Sequence, residues 1–251
     1  MNKLNFNKKE FNADKTEKEF EALTLKMSLN NQNIFDFEAD IYYFISENFG
    51  LCGQLIQTLD FKNCYFIYKK NEKLLMIIFK ALQSYDNPKF PTKEIYFELM
   101  DPNKDVNSLD YNVVINQAIE KPLKDVIFHE DKAVTFFFEK MVRFLLFSIN
   151  NSSVILILRD KFLNGWQNLI KILFVRFKVM NSHLSLFHVG VLEMNIAYAL
   201  FLMEKFDFAN IFMNRSLKNL EFLSKVEKSK GASQDKEDFV EKKTDFLCVL
   251  E

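Results

Sequence analysis

Apolar residues recur along this chain at helical rather than strand spacing. The pattern starts with Phe20, Leu23, Leu25 and Met27, after a lead-in through Glu21 that sets five lysines against five acids. Residues 1–15 are therefore expected to be a flexible N-terminal segment and 16–85 a set of N-terminal helical hairpins. Phe37, Ile41, Phe44 and Ile45 share one helical stripe, and Gly50 is placed to close that helix as a C-terminal cap would. Leu51–Leu59 and Glu72–Tyr85 are expected to form a second hairpin, while Cys64-Tyr65-Phe66-Ile67-Tyr68 reads equally as helix or short strand. Pro88, Pro91 and Pro102 beside Asp101-Pro102-Asn103-Lys104-Asp105 mark 86–108 as a linker or irregular segment. Beyond it, 109–229 reads as helices over Asp110–Phe128 (with Pro122 a break or kink) and Asp131–Ile149. Asn150-Asn151-Ser152-Ser153 is expected to interrupt next. Val154–Phe162 and Trp166–Met180 then pair about a turn at Gly165, and Leu184–Met203 follows. From 225 to 245 six lysines face six acids with little apolar periodicity, so 230–251 is expected to be a polar tail.

Composition narrows the class. Among 251 residues, 49% are apolar and only five are Gly and four Pro, which suits long helices with few breakers and excludes collagen-like, disordered and turn-dense all-β chains. The expected fold class is all-α, with antiparallel helix hairpins stacked as a solenoid or an irregular bundle. The net charge of −1 lacks the basic excess of a sequence-independent nucleic-acid binder. Cys52, Cys64 and Cys248 form no C-x-x-C pair, and the first residues hold no apolar run, so a reducing, cytoplasmic location is expected. Leu184–Met203 is long enough to span a bilayer. Glu193 and Asn195 would then lie at mid-depth, where an acid costs about 2.5–3.5 kcal/mol, so a buried helix is expected instead. Cys248-Val249-Leu250-Glu251 has a C-a-a-X outline with an unusual final residue, and is expected to be the apolar end of a last helix.

One stretch carries a resemblance. From Asn195 to Leu217, Ala197 is the small residue of a first helix, Leu200 and Phe206 fill a hairpin interior, Ala209 is the small residue of a second helix, and Ser216-Leu217 follows as a small-apolar pair. This spacing resembles one tetratricopeptide repeat, over about 193–226. Glu204 stands where that family commonly has Gly, so the turn before Lys205 must form without glycine's freedom. Stepping back forty residues sets Trp166, Leu169 and Leu173 beneath Phe206, Ala209 and Met213 as a degenerate earlier unit, from which Arg176 departs. An ordinary antiparallel bundle carries similar small-plus-aromatic spacing, so both architectures stay open.

The resemblance implies a non-enzymatic adaptor or scaffold that binds a peptide segment or helix of a protein partner. Asn195, flanked by Tyr198 and Phe201, would face the groove and hydrogen-bond a partner's backbone; alternatively, Asn195 satisfies a neighbouring helix. A membrane-associated subunit and a helical enzyme without local motifs are the competing classes. Asp101, Asn103, Asp105 and Asn107 alternate as in a calcium loop, but Val106, Ser108 and Asn112 occupy positions needing Gly, an apolar anchor and Glu. His129-Glu130-Asp131 read as a helix start whose consecutive side chains point about 100° apart, and His183 and His188 do not share a helical face. No nucleotide-loop, nucleophile-elbow or H-E-x-x-H signature occurs, so no catalytic residue, metal or cofactor is expected.

Overall fold

The computed structural model describes residues 11–29, 34–83, 132–179 and 183–230. Seven α-helices fill them, and among the described residues there is no strand. They are α1 (Ala13–Leu29), α2 (Glu38–Gln57), α3 (Phe61–Gln83), α4 (Lys132–Leu158), α5 (Phe162–Val179), α6 (His183–Leu202) and α7 (Phe206–Lys230). A 3-10 turn over Ile34–Phe37 leads into α2. The linker expected at 86–108, the helix at 110–128, the calcium-like loop and His129-Glu130-Asp131 lie outside the described residues.

Several elements differ from the sequence expectation. Helix α1 starts at Ala13, inside the segment expected to be flexible, because Asn12 Oδ1 accepts the Lys15 N–H at 3.0 Å and so caps the first turn. Gly50 does not end its helix. No glycine in the described residues has positive φ, and α2 continues through Gly50 and Gly53 to Gln57. The ambiguous run at 64–68 is helical: Cys64, Ile67, Tyr68 and Asn71 are its buried positions, at a spacing that only a helix places on one face. Asn150-Asn151-Ser152-Ser153 does not interrupt α4 either. Such residues weaken helices when their side chains compete for local backbone, but here Asn151 and Ser152 reach Tyr68 and Glu72 across the α3 interface.

Helices α2–α3, α4–α5 and α6–α7 form three hairpins with one common turn. Leu59, Asp160 and Glu204 adopt φ of 58°, 59° and 60°, in the left-handed region. Each donates its N–H to a carbonyl in the last turn (Ile56, Ile157 and Phe201). The next residues, Asp60, Lys161 and Lys205, donate to Leu55, Leu156 and Leu200 at 2.8, 2.9 and 2.9 Å. This is the Schellman pattern formed without glycine. In each case a Phe (Phe61, Phe162 or Phe206) opens the second helix, and a small residue (Cys64, Gly165 or Ala209) follows in its first turn. The equivalent of Phe206 is therefore Phe162, not the Trp166 suggested by a forty-residue step, and Gly165 lies inside α5 rather than at a turn.

That last correction has a steric cause. A Cβ on Gly165 would meet Ile157 Cγ1 at 2.5 Å and the Ser153 carbonyl at 2.8 Å, so α4 and α5 cross with backbone almost against backbone. Helix α4 is central, packing on α3, α5 and α6. One core runs from Phe20, Ile41 and Phe79 through Phe137 and Met141 to Trp166, Ile196 and Phe212, so helices from both sides of 86–108 share it. The terminal hairpin is held as well by Glu193, fully buried on α6, whose Oε1 accepts Arg215 Nε at 3.0 Å and Nη2 at 2.9 Å. Asn219 Nδ2 satisfies Oε2 at 2.9 Å.

The same substitution should have opposite signs at two glycines. Gly165→Ala is expected to destabilise by about 1–3 kcal/mol through overpacking against fixed backbone. Gly53→Ala, with nothing within 4 Å, should gain roughly 0.5–1 kcal/mol from helix propensity. Urea unfolding of the full chain measures both; equal effects would rule out the close crossing.

Candidate functional site

The expected partner-binding residues lie on α6, and their burial divides them. Tyr198 and Phe201 are exposed, at 45% and 56%, whereas Asn195 retains only 7%. The Phe201 ring packs edge-on against Phe206 of α7, with centroids 5.5 Å apart, so the turn of the last hairpin carries an aromatic ledge open to solvent. Exposure of these rings leaves apolar area in contact with water.

Beneath the ledge runs a line of buried amides. Asn195 Nδ2 donates to Asn150 Oδ1 at 3.0 Å, Asn150 Nδ2 to Asn151 Oδ1 at 3.2 Å, and Asn151 Nδ2 to the Tyr68 hydroxyl at 3.1 Å. Three hairpins are thereby connected, since Tyr68 is on α3, the asparagine pair on α4 and Asn195 on α6. Two further buried links lie alongside: Ser152 Oγ to Glu72 Oε1 at 2.6 Å, with Lys69 paired to the same carboxylate, and Asn48 Nδ2 to Asn71 Oδ1 at 2.7 Å. Sequence reasoning took Asn150-Asn151 for a helix break and assigned Tyr68 no role. The available signal is two amides and two hydroxyls placed consecutively within the apolar half of α4.

At the far end of the line, Tyr68 adjoins the free thiols Cys52 and Cys64, which point toward each other's backbone carbonyls at 3.7 and 3.9 Å. Burial, then the proximity of Cys64, pushes the Cys52 thiol well above its ordinary range. Burial likewise raises the Tyr68 phenol, and the neighbouring thiols add to the effect. Both groups stay protonated and neutral inside the fold.

No family model, curated protein or solved structure matches this chain.

Among the described residues no group of three His, Cys, Asp or Glu is arranged to hold a metal ion. A cavity of about 360 Å³ opens beside the first two hairpin turns, lined by Tyr65, Leu156, Lys161, Asn164, Gln167 and Asn168. Its wall carries the Lys161 amine and the Tyr65 phenol together with the Asn164, Gln167 and Asn168 amides. Among the described residues, Phe136–Leu158 of α4 is long and apolar enough to cross a membrane, and Val189–Leu202 of α6 is a shorter apolar stretch. Most of Phe136–Leu158 is buried, and its polar residues bond to α3 and α6.

Two measurements separate the roles of these residues. Asn195→Ala leaves Asn150 without its donor and should cost about 1–3 kcal/mol in thermal or urea unfolding, whereas Tyr198→Ala and Phe201→Ala should each stay within about 1 kcal/mol of wild type. A neutral Asn195→Ala would sink the amide line as a structural device. In alkali, the folded chain keeps protons on Cys52 and Tyr68 that the unfolded chain releases near their ordinary values of about 8.5 and 10. Stability from these groups is thus complete below about pH 8.5 and declines as pH rises above it. The melting temperature should fall more steeply over pH 8.5–10.5 in wild type than in Tyr68→Phe or Cys52→Ala.

Proposed function

We propose that this protein is a non-enzymatic scaffold or adaptor, a tetratricopeptide-like stack of helix hairpins that takes an extended segment or helix of a protein partner across α6. The observation that carries this reading is the exposed aromatic ledge of Tyr198 and Phe201 on α6, while Leu192, Ile196 and Leu200 of the same helix are committed to the core. Aromatic side chains offer much apolar contact area at low conformational-entropy cost, and dominate protein interfaces accordingly.

The repeat reading gains support from the three equivalent turns. Counted from each left-handed residue, small side chains recur at both crossing positions: Cys52 with Cys64, Ser153 with Gly165, and Ala197 with Ala209. Asn151 and Asn195 also occupy equivalent positions. In this scheme Tyr198 and Phe201 supply affinity, while Asn195 acts beneath them by fixing α6 on α4. The near-zero net charge favours a protein partner over a nucleic acid. Two buried free thiols side by side suit a reducing compartment such as the cytoplasm.

A photo-crosslinking amino acid in place of Tyr198, in full-length protein within its native cell, tests the proposal. A discrete adduct with one other protein is expected, and Phe201→Glu in the same background should abolish it without changing helicity or melting. Adducts that persist despite Phe201→Glu, or none at all, would refute the ledge as a docking surface.

A further inference from the structure

Helix α5 departs from a pattern that the other two hairpins keep. Counted from the left-handed turn residues, Ile67, Asn168 and Phe212 are equivalent, as are Phe66, Gln167 and Ile211. Ile67 and Phe212 are fully buried. Asn168 is only part-buried and, with Gln167, Asn164 and Tyr65 of α3, lines the cavity of about 360 Å³. Where its counterparts make an apolar contact, α5 therefore borders a cleft. Asn164, Gln167 and Asn168 follow the i, i+3, i+4 spacing that sets three carboxamides on one helical face. Asparagine is a weak helix former, and α3 keeps its own exposed face soluble with the better helix formers Lys62, Lys69 and Lys73. Neither the helix nor the solvent requires amides here.

The lining has a definite chemistry. Among its six residues the one formal charge is the Lys161 ammonium, and among the described residues no acid pairs with it. The Asn164 and Asn168 amides and the Tyr65 hydroxyl likewise have no hydrogen-bond partner among the described residues, so they are available to a ligand. A single lysine is a compact point charge that suits one anionic group, whereas a polyphosphate draws on several cations or on the fork of arginine. Each carboxamide both donates and accepts, and so does each hydroxyl of a polyol, which makes the two complementary. The cavity is at the small end of the range for ligand clefts, about 300–1,000 Å³.

We propose that this cavity binds a small polyhydroxy carboxylate of the sugar-acid class, with the carboxylate at Lys161 and the hydroxyl groups on the α5 carboxamides and the Tyr65 phenol. The site lies on α3 and α5, apart from Tyr198 and Phe201 on α6, and it does not rest on the adaptor reading.

Calorimetric titration of the full-length protein tests the proposal. The probes are D-glucuronate and D-glucose, which differ at one carbon, a carboxylate against a hydroxymethyl group. Saturable binding of glucuronate is expected, with glucose at least about tenfold weaker. Lys161→Gln should weaken glucuronate at least about tenfold, and so should Asn168→Asp, which brings a negative charge into the cavity. Lys218→Gln, on the exposed face of α7, should leave the affinity unchanged. Circular dichroism and melting of each variant separate a lost site from a lost fold. Absence of saturable glucuronate binding, glucose binding of equal strength, or glucuronate binding that survives both cavity substitutions would overturn the proposal. Tighter binding of the acidic peptide acetyl-Gly-Glu-Gly-amide than of glucuronate would overturn it too, by assigning the cavity to a protein partner.

Discussion

Each of the three described hairpins carries small residues at equivalent positions of its two helices, and at Gly165 the small residue is a steric necessity. At the α4–α5 crossing a single methyl group on Gly165 would collide with a backbone carbonyl, which leaves side-chain adjustment no room to relieve it. Close approach of this kind sets the spacing of the pair, and the spacing decides how the next helix can lie in the groove between them. The turns answer to the same constraint. Leu59, Asp160 and Glu204 accept left-handed conformations that glycine would adopt more cheaply, because the Schellman bonds and the packed helices on either side determine where the chain must reverse.

Stacking the hairpins buries polar groups along with apolar ones, and several of them find partners across the helix interfaces. Asn195, Asn150, Asn151 and Tyr68 satisfy one another across three hairpins. Glu193 is neutralised and hydrogen-bonded by Arg215 and Asn219. An apolar interface between helices permits sliding by a ridge, whereas a line of amides has few geometries in which each member is bonded. Register is therefore specified where packing alone would leave it loose. The same polar line explains how α4, whose length and hydropathy match a membrane span, can instead lie at the centre of a helical stack.

The exposed apolar surface is what the stack leaves over. Aromatic and aliphatic side chains are concentrated in a shared core, and those left open include Tyr43, Leu59 and Phe136 as well as Tyr198 and Phe201 on α6 and Phe206, Met213 and Leu217 on α7.

Much of this architecture is legible in the sequence. The all-helical class, the stripe through Phe37, Ile41, Phe44 and Ile45, and the hairpin around Glu204 all follow from apolar period and from the scarcity of Gly and Pro, because these are local properties of a helix with one buried face. The candidate residues on α6 are identifiable in the same way, but not how they divide: periodicity places Asn195, Tyr198 and Phe201 on one helix without showing that α4 covers the first and leaves the other two open. Gly50, Asn150 and Gly165 were each read as the breakers they usually are. Tertiary structure decided otherwise, since a residue's local preference is worth about 1 kcal/mol or less and is outweighed when a neighbouring helix supplies a hydrogen-bond partner for an amide or demands a position without a Cβ.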